Sequence, residues 1–178
     1  MRYLRRGVWF LVSRMAVLVL VLSLIVVVFY EAMDMTNIQI IIKDGMTRRA
    51  KTVMGMEDGS ELRLYFQSSF LSNDAALILA QNGDSPYRDY NIRGLDHRIE
   101  MGFLWVWPWE DRCRVDIVER IPAIDGRAKG DRAEALVASQ GAGAVYPPSW
   151  QSARYRVTLQ RENGQWKMAS VEEIEKLN

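Results

Sequence analysis

One cysteine among 178 residues, Cys113, leaves the chain no intrachain disulfide, so its fold must be held by packing alone. A lone thiol in such a chain is expected to be buried. One histidine, His97, removes any Cys/His metal cluster, and neither a P-loop nor a nucleophile elbow occurs. The carboxylates are scattered and pair at no recognisable spacing. The sequence therefore names no reaction and implies no cofactor and no metal. Internal repeats and low-complexity tracts are missing as well. Acidic residues are absent before Met15, where four arginines stand: Arg2, Arg5, Arg6 and Arg14. Taking those four from the 23 basic residues leaves 19 against 22 acidic ones, a formal charge of −3 over residues 15–178. That balance argues against nucleic acid as a partner, which would require a basic patch or stripe.

What is present is a long apolar run. Between Met15 and Tyr30 the only polar residues are Ser23 and Tyr30 itself, and Gly7–Tyr30 spans 24 residues. A helix needs roughly 20 residues to cross a hydrocarbon core about 30 Å thick. Arg14 would cost about 3 kcal/mol at mid-bilayer but little at its edge, where a long side chain reaches the headgroups. The span is accordingly placed at 15–33, after a basic N-terminus at 1–14 and before an α+β domain at 34–178. Trp9 and Tyr30 then lie near the two interfaces. With Arg2, Arg5, Arg6 and Arg14 on one flank and Glu31 and Asp34 on the other, the positive-inside rule keeps the N-terminus cytoplasmic and puts the domain outside. A cleaved signal peptide is the alternative. Against it stand an apolar run longer than the roughly 7–15 residues usual for such peptides and the lack of a small-x-small site near 28–33. No cysteine near residue 30 could carry a bacterial lipid anchor.

The remaining segment has the size of one domain. Met35, Ile38, Ile42, Met46, Ala50 and Val53 predict a helix over 35–54, entered from the membrane helix with little break because residues 31–37 hold neither proline nor glycine. A second helix is expected from Ser60 as N-cap, with Leu62, Tyr65, Phe66, Ser69 and Phe70 along one stripe. A third is expected over 75–81, opened by Ser72-Asn73-Asp74 and closed by Asn82-Gly83. Past Ser85 the period changes to two. A short strand is read at 87–92. Another runs through Ile99, Met101, Phe103, Trp105 and Trp107, with that face apolar and core-forming. After a turn at 108–111, Cys113, Val115 and Ile117 mark the antiparallel partner, ending near Ile121-Pro122 or Asp125-Gly126. A helical turn or two falls within 133–139, with loops at 140–143 and 147–148. Asn163-Gly164 predicts a hairpin pairing Leu159 with Met168, Val157 with Ser170 and Arg161 with Trp166. Helices packed on one face of such a sheet make an α+β fold.

Three helices followed by a curved antiparallel sheet, ending in Tyr155-x-Val157-x-Leu159 and Asn163-Gly164-x-Trp166-x-Met168, resemble the cystatin-like α+β cone of the nuclear-transport-factor-2-like superfamily. That resemblance implies isomerases and dehydratases, small-ligand binders, or non-catalytic assembly domains. Among the last, an anchored extracytoplasmic domain is similar to the assembly factors of type IV secretion and conjugation machines, and to cell-envelope proteins of spore-forming bacteria. The expectation is a non-enzymatic, single-pass protein of the bacterial cytoplasmic membrane. Its partners would be the bilayer and other envelope proteins or a second copy of itself. A tethered pocket protein for a small apolar ligand is the alternative.

Two groups of residues are candidates for a site. Asp96-His97 could do acid–base work, but adjacent strand residues face opposite ways, and Gly94-Leu95-Asp96 reads as a loop that leaves His97 in a surface turn. Trp105, Trp107, Trp109 and Trp150, with Trp166, could fill the core, line a pocket or meet a partner. Trp107-Pro108-Trp109 is the piece best suited to a partner, because a turn cannot easily bury two indoles.

Overall fold

The structure is a computed structural model that describes the backbone of residues 2–177 and the side chains from Trp9 onward, Asp131 excepted. The side chains of Arg2, Arg5 and Arg6, expected to set orientation, lie outside those described. Helix α1 runs unbroken from Arg2 to Val53, 52 residues and so about 78 Å at 1.5 Å per residue. From Trp9 to Tyr30 every side chain is exposed, and the segment is long and apolar enough to cross a membrane. A buried stripe begins at Glu31 and continues through Ile38, Ile42, Met46, Ala50 and Val53. One helix is therefore apolar all round in its first half and amphipathic in its second.

Beyond α1 come a 3₁₀ turn at Ser60–Leu64 and short helices α2 (Ser68–Leu71) and α3 (Ala75–Gln81). The expected second helix is broken in two. Tyr65 O accepts from Met168 N at 2.7 Å and Gln67 N donates to Met168 O at 2.9 Å, so the chain between the turns hydrogen-bonds to the sheet instead of coiling. Leu62 and Phe66 of the expected stripe are nevertheless buried. The cap at this start also differs: Asp58 Oδ1 accepts from Ser60 N and Oγ, while Gly59 turns the backbone at φ 77°. Helix α3 forms as expected, with Asp74 accepting from Ala76 N and Leu77 N at its start.

The sheet is fully antiparallel in the order β1 (Tyr90–Met101), β2 (Arg112–Ala128), β3 (Ala153–Glu162), β4 (Gln165–Lys176). Helix α4 (Gly130–Gln140) and a 3₁₀ turn (Ala142–Val145) join β2 to β3. Two expected strands thus merge into one, and residues 102–106 leave the ladder. β2 also passes through Pro122 and Gly126 instead of stopping there. Pro122 is tolerated because its pairing with β3 ends at Glu119–Ala153 and its pairing with β1 shifts register between Asp96 and Arg98. In the β3–β4 hairpin, Asn163 and Gly164 take φ 53° and 79°, as a two-residue turn of this kind needs. Leu159 pairs with Met168 and Arg161 with Trp166. Val157 pairs with Val171, not Ser170, because the register shifts between Thr158 and Leu159.

The core lies between α1 and the sheet, where Phe66, Leu77, Ile117, Val157, Leu159, Trp166 and Met168 are fully buried. α1 approaches closely at Gly45, where a Cβ would stand 2.3 Å from Met168 Cε and 2.8 Å from Tyr65 Cβ. Paired charges cover other surfaces, among them Arg156–Asp116 and Arg154–Glu175 between strands.

Candidate functional site

Two constellations stand out, one inside the domain and one on its surface. The inner one is built on β2, whose residues Cys113, Val115, Ile117, Glu119 and Ile121 all turn inward. Glu119 is therefore a carboxylate in an apolar row, fully buried. Its Oε1 lies 2.8 Å from His97 Nε2, and its Oε2 accepts from Trp150 Nε1 at 3.2 Å. On the other side of the ring, His97 Nδ1 lies 2.8 Å from Thr47 Oγ1, which donates to Lys43 O at 2.7 Å. With the threonine hydroxyl proton given to Lys43 O, Nδ1–H donates to Oγ1, and one proton sits between Nε2 and Oε1. The chain Thr47–His97–Glu119–Trp150 so ties α1, β1, β2 and the segment before β3 together.

His97 thus lies neither in a loop nor at the surface: it belongs to β1 at a register shift, with its side chain 4% exposed. Asp96 points the other way and pairs with Arg98. The two are not a dyad. Beside this chain, Arg49 forks onto Asp74, with Nε to Oδ2 at 2.6 Å and Nη2 to Oδ1 at 3.2 Å. Burial opposes the Arg49 charge, but the hydrogen bonds and charge of Asp74, with Glu119 and Tyr155 further off, keep its pKa above the usual value. Chemically, the inner constellation holds a proton between an imidazole and a carboxylate, yet none of the described hollows is lined by His97 or Glu119. A group shut off in this way can fix the packing of four segments. Cys113 is equally withdrawn: burial pushes its thiol up to about 12, which leaves it protonated and unreactive at neutral pH.

The outer constellation lies in residues 102–111. Leu104 and Val106 face the core, so Phe103, Trp105, Trp107 and Trp109 face solvent, Phe103 at 89% and Trp109 at 72% exposure. Alternation is present here, but the face expected to fill the core is the one left outside. The indoles are arranged among themselves: Trp105 meets Trp107 edge to face at 5.5 Å, and Trp107 stacks on Trp109 at 5.1 Å and 10°. Glu110 closes the tip, its N–H donating to Trp107 O and its Oε2 accepting from Trp107 N. Trp150 is not part of this group. It stacks near Tyr87 at 6.3 Å and serves the inner chain, while Trp166 is buried beneath Arg161. Of the four tryptophans singled out in the sequence, the structure brings three together.

Fold and site together define a membrane-length helix continued into an α+β domain that carries an exposed aromatic tip. Comparisons with protein-family models, with curated proteins and with solved structures find no match for this chain.

Proposed function

We propose that the chain is a single-pass membrane protein whose domain, held on the outer face of a bacterial cytoplasmic membrane, assembles with other envelope proteins or with itself and does no chemistry. The observation that carries this reading is the continuity of α1. The helix that is apolar on all sides over residues 9–30 supplies Ile38, Ile42, Met46 and Ala50 to the domain core without a hinge. Anchor and domain are then one stiff unit, suited to setting the height and direction of a docking surface. The expected cystatin-like cone agrees with a long helix laid across an antiparallel sheet. The tethered-pocket alternative called for a deep cavity lined by Trp105 or Trp107. Those indoles are on the surface, the interior is filled by Trp166, Phe66 and Met168, and the described hollows are lined by other residues.

Cross-linking of the full chain in its own membrane, followed by mild detergent extraction, tests the proposal. A stoichiometric adduct with an envelope protein or a second copy is expected. Recovery of the uncross-linked monomer alone would overturn it, and alkaline carbonate extraction that strips the chain from the membrane would overturn the anchor itself.

A further inference from the structure

We infer that the stacked pair Trp107 and Trp109 is a lipid-binding tip that seats in the headgroup layer beside the point where α1 leaves the bilayer. The inference rests on α1 spanning the membrane and does not depend on which side the domain occupies.

The height of the tip follows from the contacts around it. α1's apolar run ends near Ala32, and Asp34 lies about 3 Å further along the axis. The polar layer on each side of a bilayer is about 5–7 Å thick, so Asp34 falls within it. Asp34 pairs with Arg161, whose own N–H donates to Asp111 O at 2.9 Å. Asp111 is thereby fixed at headgroup level. β2 starts at Arg112 and runs away from the membrane, reaching Ala128 opposite Tyr90 at the far end of the domain. The residues just before Arg112 therefore lie, with the Asn163-Gly164 turn, at the end of the domain nearest the lipid. Glu31 itself is 3% exposed although Tyr30 and Met33 beside it are exposed, so the body of the domain reaches down to the last turn of the apolar run.

Trp107 and Trp109 stand on this tip and are exposed, as are Phe29 and Tyr30 of the helix. Phe103 does not belong to the tip: its neighbour Gly102 is bonded to Asp116 O, four residues up β2. Two further features suit the tip to lipid. Indoles have an apolar body and a polar N–H, the combination enriched at the boundary of hydrocarbon and headgroups. Their mutual stacking, closed by Glu110, presents them already ordered, so seating costs little side-chain entropy. The tip and α1 would then hold the domain at two points and fix its rotation about the helix axis, leaving the opposite faces for protein partners.

The test uses the full chain with Trp9→Phe, reconstituted in phosphatidylethanolamine–phosphatidylglycerol vesicles that contain lipid spin-labelled either near the headgroup or near the chain end. Emission should be quenched strongly by the shallow label and weakly by the deep one. Adding Trp107→Phe and Trp109→Phe should remove most of the shallow quenching, while resistance to carbonate extraction and the circular-dichroism melt stay unchanged. If the protein stays membrane-integral but its shallow quenching is the same with and without the two indoles, the inference is overturned. Quenching of those indoles by aqueous iodide, with none by the lipid labels, would also overturn it and return the tip to a protein partner. Release by carbonate would instead overturn the spanning helix, and the lipid tip with it.

Discussion

Inside and outside are exchanged in two parts of this domain. Its interior holds a histidine and a glutamate against each other, while an exposed loop carries three indoles and a phenylalanine. Both departures cost free energy in water, since a buried charge loses hydration and an exposed aromatic gains nothing by its area. They differ in how the cost is met. The inner group is compensated within the chain, because His97 and Trp150 hydrogen-bond Glu119 while Thr47 bonds the far side of the His97 ring. The outer group finds only partial compensation in its own stacking and so points to something beyond the chain. A buried polar group with its partners reads as architecture, and an aromatic tip without cover reads as an interface.

The comparison predicts unequal responses to mutation, and the largest belongs to the interior. His97→Ala leaves Glu119 without its partner in the core and should cost about 3–5 kcal/mol, the penalty for breaking a buried pair from one side. Thermal unfolding of the full chain in detergent micelles, followed by near-ultraviolet circular dichroism, reads this directly. His97→Ala combined with Glu119→Leu should recover a large part of the loss, because replacing both partners by apolar groups removes the uncompensated charge. Recovery would be incomplete, as Trp150 Nε1 and Thr47 would still lack their partners. A single mutant that melts within a degree or so of the parent would show that water reaches Glu119 and that the interior is not closed.

A smaller effect is expected where α1 meets the sheet. Gly45→Ala improves helix propensity by about 1 kcal/mol, since glycine is the poorer residue in a helix interior. Against that, the new methyl group would lie 2.8 Å from Tyr65 Cβ, which is held by its backbone, as well as 2.3 Å from the movable end of Met168. Overpacking of this kind costs about 1–3 kcal/mol. The net change should be destabilising, by about 1 kcal/mol. A stabilised variant would mean that the helix stands further from the sheet than its close approach at Gly45 indicates.

The parts of this arrangement that the sequence makes legible are those governed by local rules. Period 3.6 through Ile38–Val53, the Asp74 cap and the Asn163-Gly164 turn each need only neighbours along the chain, and each element forms. The Phe103–Trp107 stretch is apolar on both faces, so alternation cannot say which face turns inward. That choice is made by the ladder, which ends at Met101–Ile117 and leaves Leu104 and Val106 over the core. His97 escapes for a related reason: the register shifts of β1 break the parity on which facing is counted. Glu119 was within reach, because it continues the inward row Cys113, Val115, Ile117, and a carboxylate in such a row signals a buried partner. Trp150 could not have been joined to it from sequence, as 31 residues separate them.

The smallest effect should come from the tip, and its smallness is what gives it meaning. Trp109→Ala removes a side chain that is 72% exposed and whose stacking on Trp107 is its one described aromatic contact, so unfolding in micelles should shift by no more than about 0.5 kcal/mol. Trp166→Ala, which empties a fully enclosed site, should cost about 3–5 kcal/mol in the same assay. Two tryptophans of one domain would then differ by nearly the whole value of a buried indole. A large loss from Trp109→Ala would mean that the tip braces the fold and needs no outside partner. A negligible loss leaves Trp109 free of any folding duty, which is what an exposed indole kept for an interface requires.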